Sequence, residues 1–293
     1  MNEASRWRVQ LARELSQPYV EHWSVEMVCL GGSAARGISD VYSDLDIIVY
    51  WSRMDEDFIG GSPLEDAFGI GRTALMSLHP GTFIESYHMD GLKVDFGHST
   101  MEQWKEWVTP LIDEHSDEPA LIGMVGGFLA SVPFCGEEVF REWSERLGRY
   151  SDQLARKVIA RSMGIYVRGY LQHQCLERGD RLAWNDGVCS LLKRMIDVTA
   201  ALNGCYYSAS EPRWLEYHLD RMPMRSGELT ASNVERILAE PGEASEEMLY
   251  GIVDDTLGLV AERFPELADR VERKKARIEE LKVRACIDRP AMG

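Results

Sequence analysis

The chain has 293 residues, 45% hydrophobic and 27% charged, which excludes a disordered or fibrous protein and gives room for one large core or two smaller ones. With 48 acidic against 32 basic residues its formal net charge is -16, so a sequence-independent grip on nucleic-acid backbones is disfavoured and cationic small molecules are favoured.

The opening stretch MNEASRWRVQLARELSQ lacks the basic and continuous apolar regions of a signal peptide. Trp7, Leu11 and Leu15 recur instead at helical spacing, so the chain is expected to begin with a helix. Near His22 the period changes. VEMVCL and, after a glycine turn, LDIIVYW are short and rich in β-branched and aromatic residues, and they read as neighbouring strands.

A loop and helical region is expected from about Met54 to Leu78. Within it GIGRTA imitates a dinucleotide fingerprint, but no convincing strand precedes it, and it is set aside. Next comes TFIESYHMDGLKVDFGHS, in which Asp90-Gly91 suits a type I′ turn between paired strands Phe83 to Met89 and Leu92 to Phe96. His98 reads as a loop or hydrogen-bonding residue.

Beyond Thr100 the β signal stops. The longest apolar stretch, Ala120 to Phe134, is too short to span a bilayer, and a cytoplasmic protein without a membrane partner is expected. Helical periods follow at Ala155, Ile159, Met163, Tyr166 and Tyr170, at Val188, Leu191, Met195 and Leu202, at Met248, Ile252 and Leu259, and at Leu267, Val271, Ile278 and Leu281. The fold class is therefore α+β: residues 1–145 form a mixed β-sheet flanked by helices, and residues 146–293 a helical bundle. Cysteines 29, 135, 175, 189, 205 and 286 lack any C-x-x-C pair and read as reduced thiols.

Two carboxylates in a strand-like run need a reason. Residues two apart share a strand face, so Asp44 and Asp46 project together while Leu45, Ile47 and Val49 face the core. In the hairpin, Lys93 and Asp95 lie opposite the face of Leu92, Val94 and Phe96. If the two strands are neighbours, three carboxylates converge, and a cation is needed to hold them. Oxygen ligands suit Mg²⁺, and two such ions roughly 3.5 to 4 Å apart can clamp an in-line phosphoryl or nucleotidyl displacement. Gly31 and Gly32 let backbone N–H groups approach a polyphosphate, Ser33 adds a hydroxyl, AARG can open a helix toward the anion, and Arg36 adds a cation.

The run GGSAARGISDVYSDLD resembles the signature of the DNA polymerase β-like nucleotidyltransferase superfamily: Gly-Ser, a ten-residue spacer and D-x-D, with an Arg-Gly just after the Ser. The resemblance implies that Asp44 and Asp46 ligate the metals and that Asp95 of KVD is the third carboxylate on an adjacent strand. Residues 1–145 follow the family's order as a nucleotidyltransferase domain. Residues 146–293 resemble only in kind the helical substrate-binding domain of bacterial aminoglycoside and lincosamide nucleotidyltransferases.

The implied activity is transfer of a nucleoside monophosphate, AMP from Mg-ATP, to a hydroxyl of a small molecule such as an aminoglycoside or similar antibiotic. Gly32 and Ser33 would bind the β- and γ-phosphates, and Asp95 would also serve or orient the base. By position, Lys93 and Lys193 are further candidates for the triphosphate, although Lys93 also suits a solvated strand position. The charges near Lys193, Asp180 among them, read first as helix caps, and Trp184 as core. Two alternatives stand beside this reading: nucleotidylation of a protein or RNA, and a non-catalytic nucleotide-binding regulatory or antitoxin-like module.

Overall fold

A computed structural model of the chain describes residues 1–79, 81–210 and 212–283. The chain divides into two compact units, Met1–Ser116 with Gly123–Arg149, and Asp117–Ile122 with the residues from Tyr150 on. The architecture is α+β, with a mixed sheet flanked by helices and a helical C-terminal region.

The first unit opens with α1 (Glu3–Leu15), capped by Asn2, whose side chain accepts the Ser5 amide at 2.8 Å, and the short α2 (Gln17–Val20). The apolar face expected at Trp7 is rotated: α1 buries Ser5, Arg8, Ala12 and Leu15 and leaves Trp7 44% exposed. The reason is polar. Ser5 Oγ accepts the Ser39 amide at 2.9 Å, and Arg8 donates twice to the Ser43 carbonyl, so this face docks on the loop ahead of Asp44.

Six strands, β1 (Val25–Leu30), β2 (Leu45–Trp51), β3 (Arg72–His79), β4 (Thr82–Met89), β5 (Leu92–Thr100) and β6 (Val132–Cys135), form one sheet in the order β3-β4-β5-β2-β1-β6. Neighbours are antiparallel except β2 with β5. Between them lie the single-turn α3 (Gly32–Arg36), then α4 (Glu56–Gly60) and α5 (Pro63–Phe68). The hairpin is as the sequence predicts: Met89 pairs with Leu92, and Asp90 and Gly91 have φ of 48° and 82°, the positive pair a type I′ turn requires.

Two strands correct the sequence reading. β3 occupies part of the segment expected to be loop and helix. Nearly all of its side chains are exposed, so no buried-face alternation marks it, and pairing with β4 alone defines it. β6 lies beyond the point where β structure was expected to end; it is a four-residue edge strand containing Pro133, too short to show a period.

Leu45, Ile47, Val49, Val94 and Phe96 are fully buried on one face of the sheet, in a core shared with Leu15 and Tyr19. The opposite face meets α6 (Met101–Asp113), the part of α7 (Pro119–Leu129) from Gly123 on, and α8 (Glu137–Leu147). There Tyr50 meets Trp104 edge-on at 5.6 Å, and Trp104 stacks on Phe128 at 4.7 Å.

The second unit holds α9 (Asp152–Ser162), α10 (Arg181–Leu202), α11 (Leu215–Leu219), α12 (Ala231–Ala239), α13 (Glu243–Arg263) and α14 (Ala268–Glu280). Asp180 caps α10 by accepting the Ala183 amide at 3.1 Å, and Trp184, Val188, Leu191 and Met195 are its buried stripe. The helix expected through Met163, Tyr166 and Tyr170 ends sooner, at Ser162, and the chain then passes through a π-helical turn, Leu171–Cys175. Arg168, in the intervening segment, ties this irregular stretch to α13 and α14 through Glu247, Asp254 and Glu279.

No described helix is long and apolar enough to cross a membrane. Cys29, Cys135, Cys175, Cys189 and Cys205 are free thiols, and Cys286 lies outside the described residues.

Candidate functional site

Parallel pairing of β2 with β5 sets Asp46 directly opposite Asp95, with Leu45 opposite Val94 and Ile47 opposite Phe96 behind them. Asp44 stands two residues earlier, just ahead of β2. The glycine turn closes onto the same spot. The Gly31 amide donates to the Asp46 carbonyl at 2.7 Å, and a Cβ on Gly32, whose φ is 63°, would stand 2.1 Å from Asp46 Oδ2. Glycine at 32 is thus required twice, by its backbone and by the carboxylate lying on it.

The other residues of the turn have partners of their own. Ser33 is buried, with its Oγ 3.2 Å from Ser39 Oγ, and Arg36 donates to the Gly32 carbonyl at 2.9 Å. α3 is only five residues long, and its dipole adds little. Arg8 anchors the loop that carries Asp44; burial lowers its pKa, against the raising pull of Asp40 and Asp44.

Asp95 accepts the Ser86 hydroxyl at 2.7 Å, and its other oxygen takes the Lys93 ammonium. The Lys93 pKa is raised first by that hydrogen bond, with burial opposing, and further by the charges of Asp95, Asp44 and Asp46. One cation thus sits in the field of all three carboxylates. Lys193 belongs to the second unit, on α10, with its Nζ 3.4 Å from the Ser210 carbonyl.

The donor chemistry fits a hard divalent cation, since every candidate ligand is a carboxylate and a side-chain cation already stands in their field. Among the described residues, no group of three His, Cys, Asp or Glu side chains is drawn together tightly enough to hold a metal as it stands.

Behind the carboxylate strands lies a second charged cluster. Glu85 of β4 is fully buried, yet receives hydrogen bonds from Tyr19, from Tyr87 at 3.1 Å and from Arg72 at 3.0 Å. Trp51 donates to His98 Nδ1 at 3.2 Å, which leaves the ring proton on Nε2, 3.1 Å from Glu85. Burial pushes the Glu85 carboxyl up, but His98, Tyr19 and Arg72 outweigh it and hold the group below its ordinary value.

Three features escape the sequence reading. Ser86 was legible in principle, because a turn at Asp90-Gly91 makes residue 86 the cross-strand partner of 95. Arg8 as the anchor of the Asp44 loop was not. Nor was a cavity of about 230 Å³ that begins at Gly31, Gly32 and Asp46 and runs along the sheet to Tyr50, Trp104 and Phe128.

No family model and no curated protein matches this chain. Among solved structures, a nucleotidyltransferase-like protein from Exiguobacterium sibiricum 255-15 aligns over 94% of this chain and 80% of its own, at 11% identity and a TM-score of 0.34. At that score the two backbones diverge widely, and the chemistry rests on this chain's own residues.

Proposed function

We propose that the chain is a nucleotidyltransferase that moves a nucleoside monophosphate, AMP from Mg-ATP, onto a hydroxyl of a small molecule. The observation that carries this is the juxtaposition of Asp46 and Asp95 on neighbouring strands, with the Gly31-Gly32 turn resting on the Asp46 carboxylate. Carboxylates brought together beside a turn that admits no side chain suit a metal-bound polyphosphate better than they suit a packed surface.

In this reading Asp44, Asp46 and Asp95 would hold divalent cations, which would neutralise the charge that develops on the phosphoryl oxygens. The turn at Gly32 and Ser33 addresses the β- and γ-phosphates. Asp95 takes the proton of the acceptor hydroxyl as its oxygen bonds to the α-phosphorus; the bond to the β-bridging oxygen breaks, and pyrophosphate leaves with the electron pair. Ser86 orients Asp95 throughout. Lys93, paired with Asp95 here, would address the triphosphate when Asp95 serves the metal site. Residues 1–145 carry this chemistry, and residues 146–293 are assigned to acceptor recognition, with an aminoglycoside or similar antibiotic as the leading acceptor class.

A non-catalytic nucleotide-binding module is the second reading, favoured by the Lys93 ammonium on Asp95. Incubation with α-labelled nucleotides, Mg²⁺ and a panel of antibiotics, read by product mass and pyrophosphate release, separates the two. Labelled acceptor supports the enzyme. Nucleotide binding with no pyrophosphate from any acceptor, protein and RNA included, favours the module.

A further inference from the structure

The last helix carries a charge pattern that the transfer chemistry does not use. Five of the eight residues from Arg270 to Arg277 are basic and one is acidic, in a chain whose net charge is -16. In α14 the spacing of Arg270, Arg273, Lys274 and Arg277 puts four of these cations on one face, over about 10 Å of helix at about 1.5 Å per residue. Val271 and Ile278 are buried, and the fifth cation, Lys275, turns toward Gly258 of α13. The three arginines of the face are exposed and Lys274 is half-buried.

Other arginines of the same unit are matched by carboxylates: Arg156 by Glu266, Arg161 by Asp197, Arg168 by Asp254 and Arg263 by Asp152. Among the described residues none of the four cations has such a partner, although Asp269 and Glu280 stand one helical turn from Arg273 and Arg277. A further cation approaches in place of an acid. Lys274 Nζ lies 3.3 Å from the Ile165 carbonyl, and the Arg194 guanidinium crowds the preceding residue, where a Cβ on Gly164 would stand 2.6 Å from Nη1. Burial lowers the Lys274 pKa, and the charges of Arg277 and Arg194 lower it further. Like charges one turn apart repel, so this face is short of anions.

We infer that this face of α14 is a docking track for the phosphate backbone of a single-stranded nucleic acid. The inference stands apart from the nucleotidyltransferase reading and uses none of its residues. Shape argues for a polymer. A small anion needs a concave site, and a cavity of about 20 Å³ beside Arg270 has room for a water and not for a phosphate. A polymer needs only a line of cations. Three of the four are arginines, whose planar guanidinium pairs with phosphate through two hydrogen bonds and also stacks on unstacked bases. The net charge of the chain opposes such a ligand at long range, but screening beyond about 8 Å at physiological salt leaves the local cations to govern contact.

Anisotropy of a labelled oligouridylate, titrated with the full chain in EDTA, tests this without divalent cations on the Asp44, Asp46 and Asp95 carboxylates. At about 50 mM salt the Kd is expected at about 10⁻⁴ M or tighter, with a log–log salt slope of about -2.8, that of four neutralised phosphates in a single strand. Replacing Arg270→Gln, Arg273→Gln and Arg277→Gln together keeps Lys274, which is committed to the Ile165 carbonyl; it should weaken binding about tenfold or more and flatten the slope to about -0.7. Replacing Arg6→Gln, Lys105→Gln and Arg141→Gln together removes the same charge from exposed positions of the first unit and should change Kd by no more than about threefold. Equal losses in the two triple variants, or no binding by the parent chain, overturn the track and leave the transfer reading untouched. Oligouridylate should also bind more tightly than inorganic polyphosphate or polyglutamate of equal charge. Tighter polyphosphate makes that polymer the ligand, and equally tight polyglutamate makes the face a site for acidic protein; either result overturns the assignment to nucleic acid.

Discussion

Gly32 and Asp46 occupy each other's space: any Cβ at residue 32 would stand 2.1 Å from Asp46 Oδ2. Gly32→Ala should therefore displace the carboxylate as well as strain the backbone at its φ of 63°, the latter by about 1 to 2 kcal/mol. The expected result is a modest fall in Tm together with a large loss of magnesium tripolyphosphate binding. A fall in Tm with binding intact would make the turn structural and take Asp46 out of the site.

Asp95 can be tested as a base apart from its role as a ligand. Asp95→Asn should lower kcat by about 10²-fold or more, the scale of a positioned base, while MgATP binding stays near that of the parent. If instead the rate recovers as Mg²⁺ is raised, Asp95 acts chiefly on the metal. Unchanged turnover at saturating substrate would remove it from the chemistry.

Lys93 competes with any metal for Asp95. Its ammonium is partly exposed, so the pair is worth no more than about 1 kcal/mol, and Lys93→Met should tighten Mn²⁺ binding several-fold in the absence of nucleotide. Calorimetry with Mn²⁺ alone reads this directly. Weaker Mn²⁺ binding in the variant would show that Lys93 supports the carboxylate cluster in place of opposing a metal.

The buried Glu85 cluster should govern acid stability. Its folded-state pKa lies below the ordinary glutamate value of about 4.3, so its contribution is complete above that value and is lost as pH falls further, through the folded-state value. Glu85→Ala, which leaves the buried His98 and Tyr19 and the half-buried Arg72 uncompensated, should cost about 3 kcal/mol at neutral pH. Urea melts at pH 7 and pH 3.5 check both points: the gap between parent and variant should narrow at the lower pH, and a constant gap would mean that packing, not charge, is what Glu85 contributes.

The α+β order, the spacing of Gly32, Ser33, Asp44 and Asp46, and the hairpin at Asp90-Gly91 were all written locally. A strand with one buried face alternates, a type I′ turn demands residues tolerant of positive φ, and a turn centred between 90 and 91 already pairs Ser86 with Asp95. What tertiary structure decided is what no local period records. β3 carries solvent on both faces and is a strand only because β4 lies beside it. The face of α1 was set by Arg8 reaching the Ser43 carbonyl, a partner distant in sequence, and not by Trp7. The parallel register that brings Asp46 to Asp95, and the meeting of β2, α6 and α7 around the aromatic cavity, join segments whose own patterns report their exposure and not their neighbour. Side-chain periodicity encodes which face of an element is buried; the identity of the element that buries it is settled only when the whole chain packs.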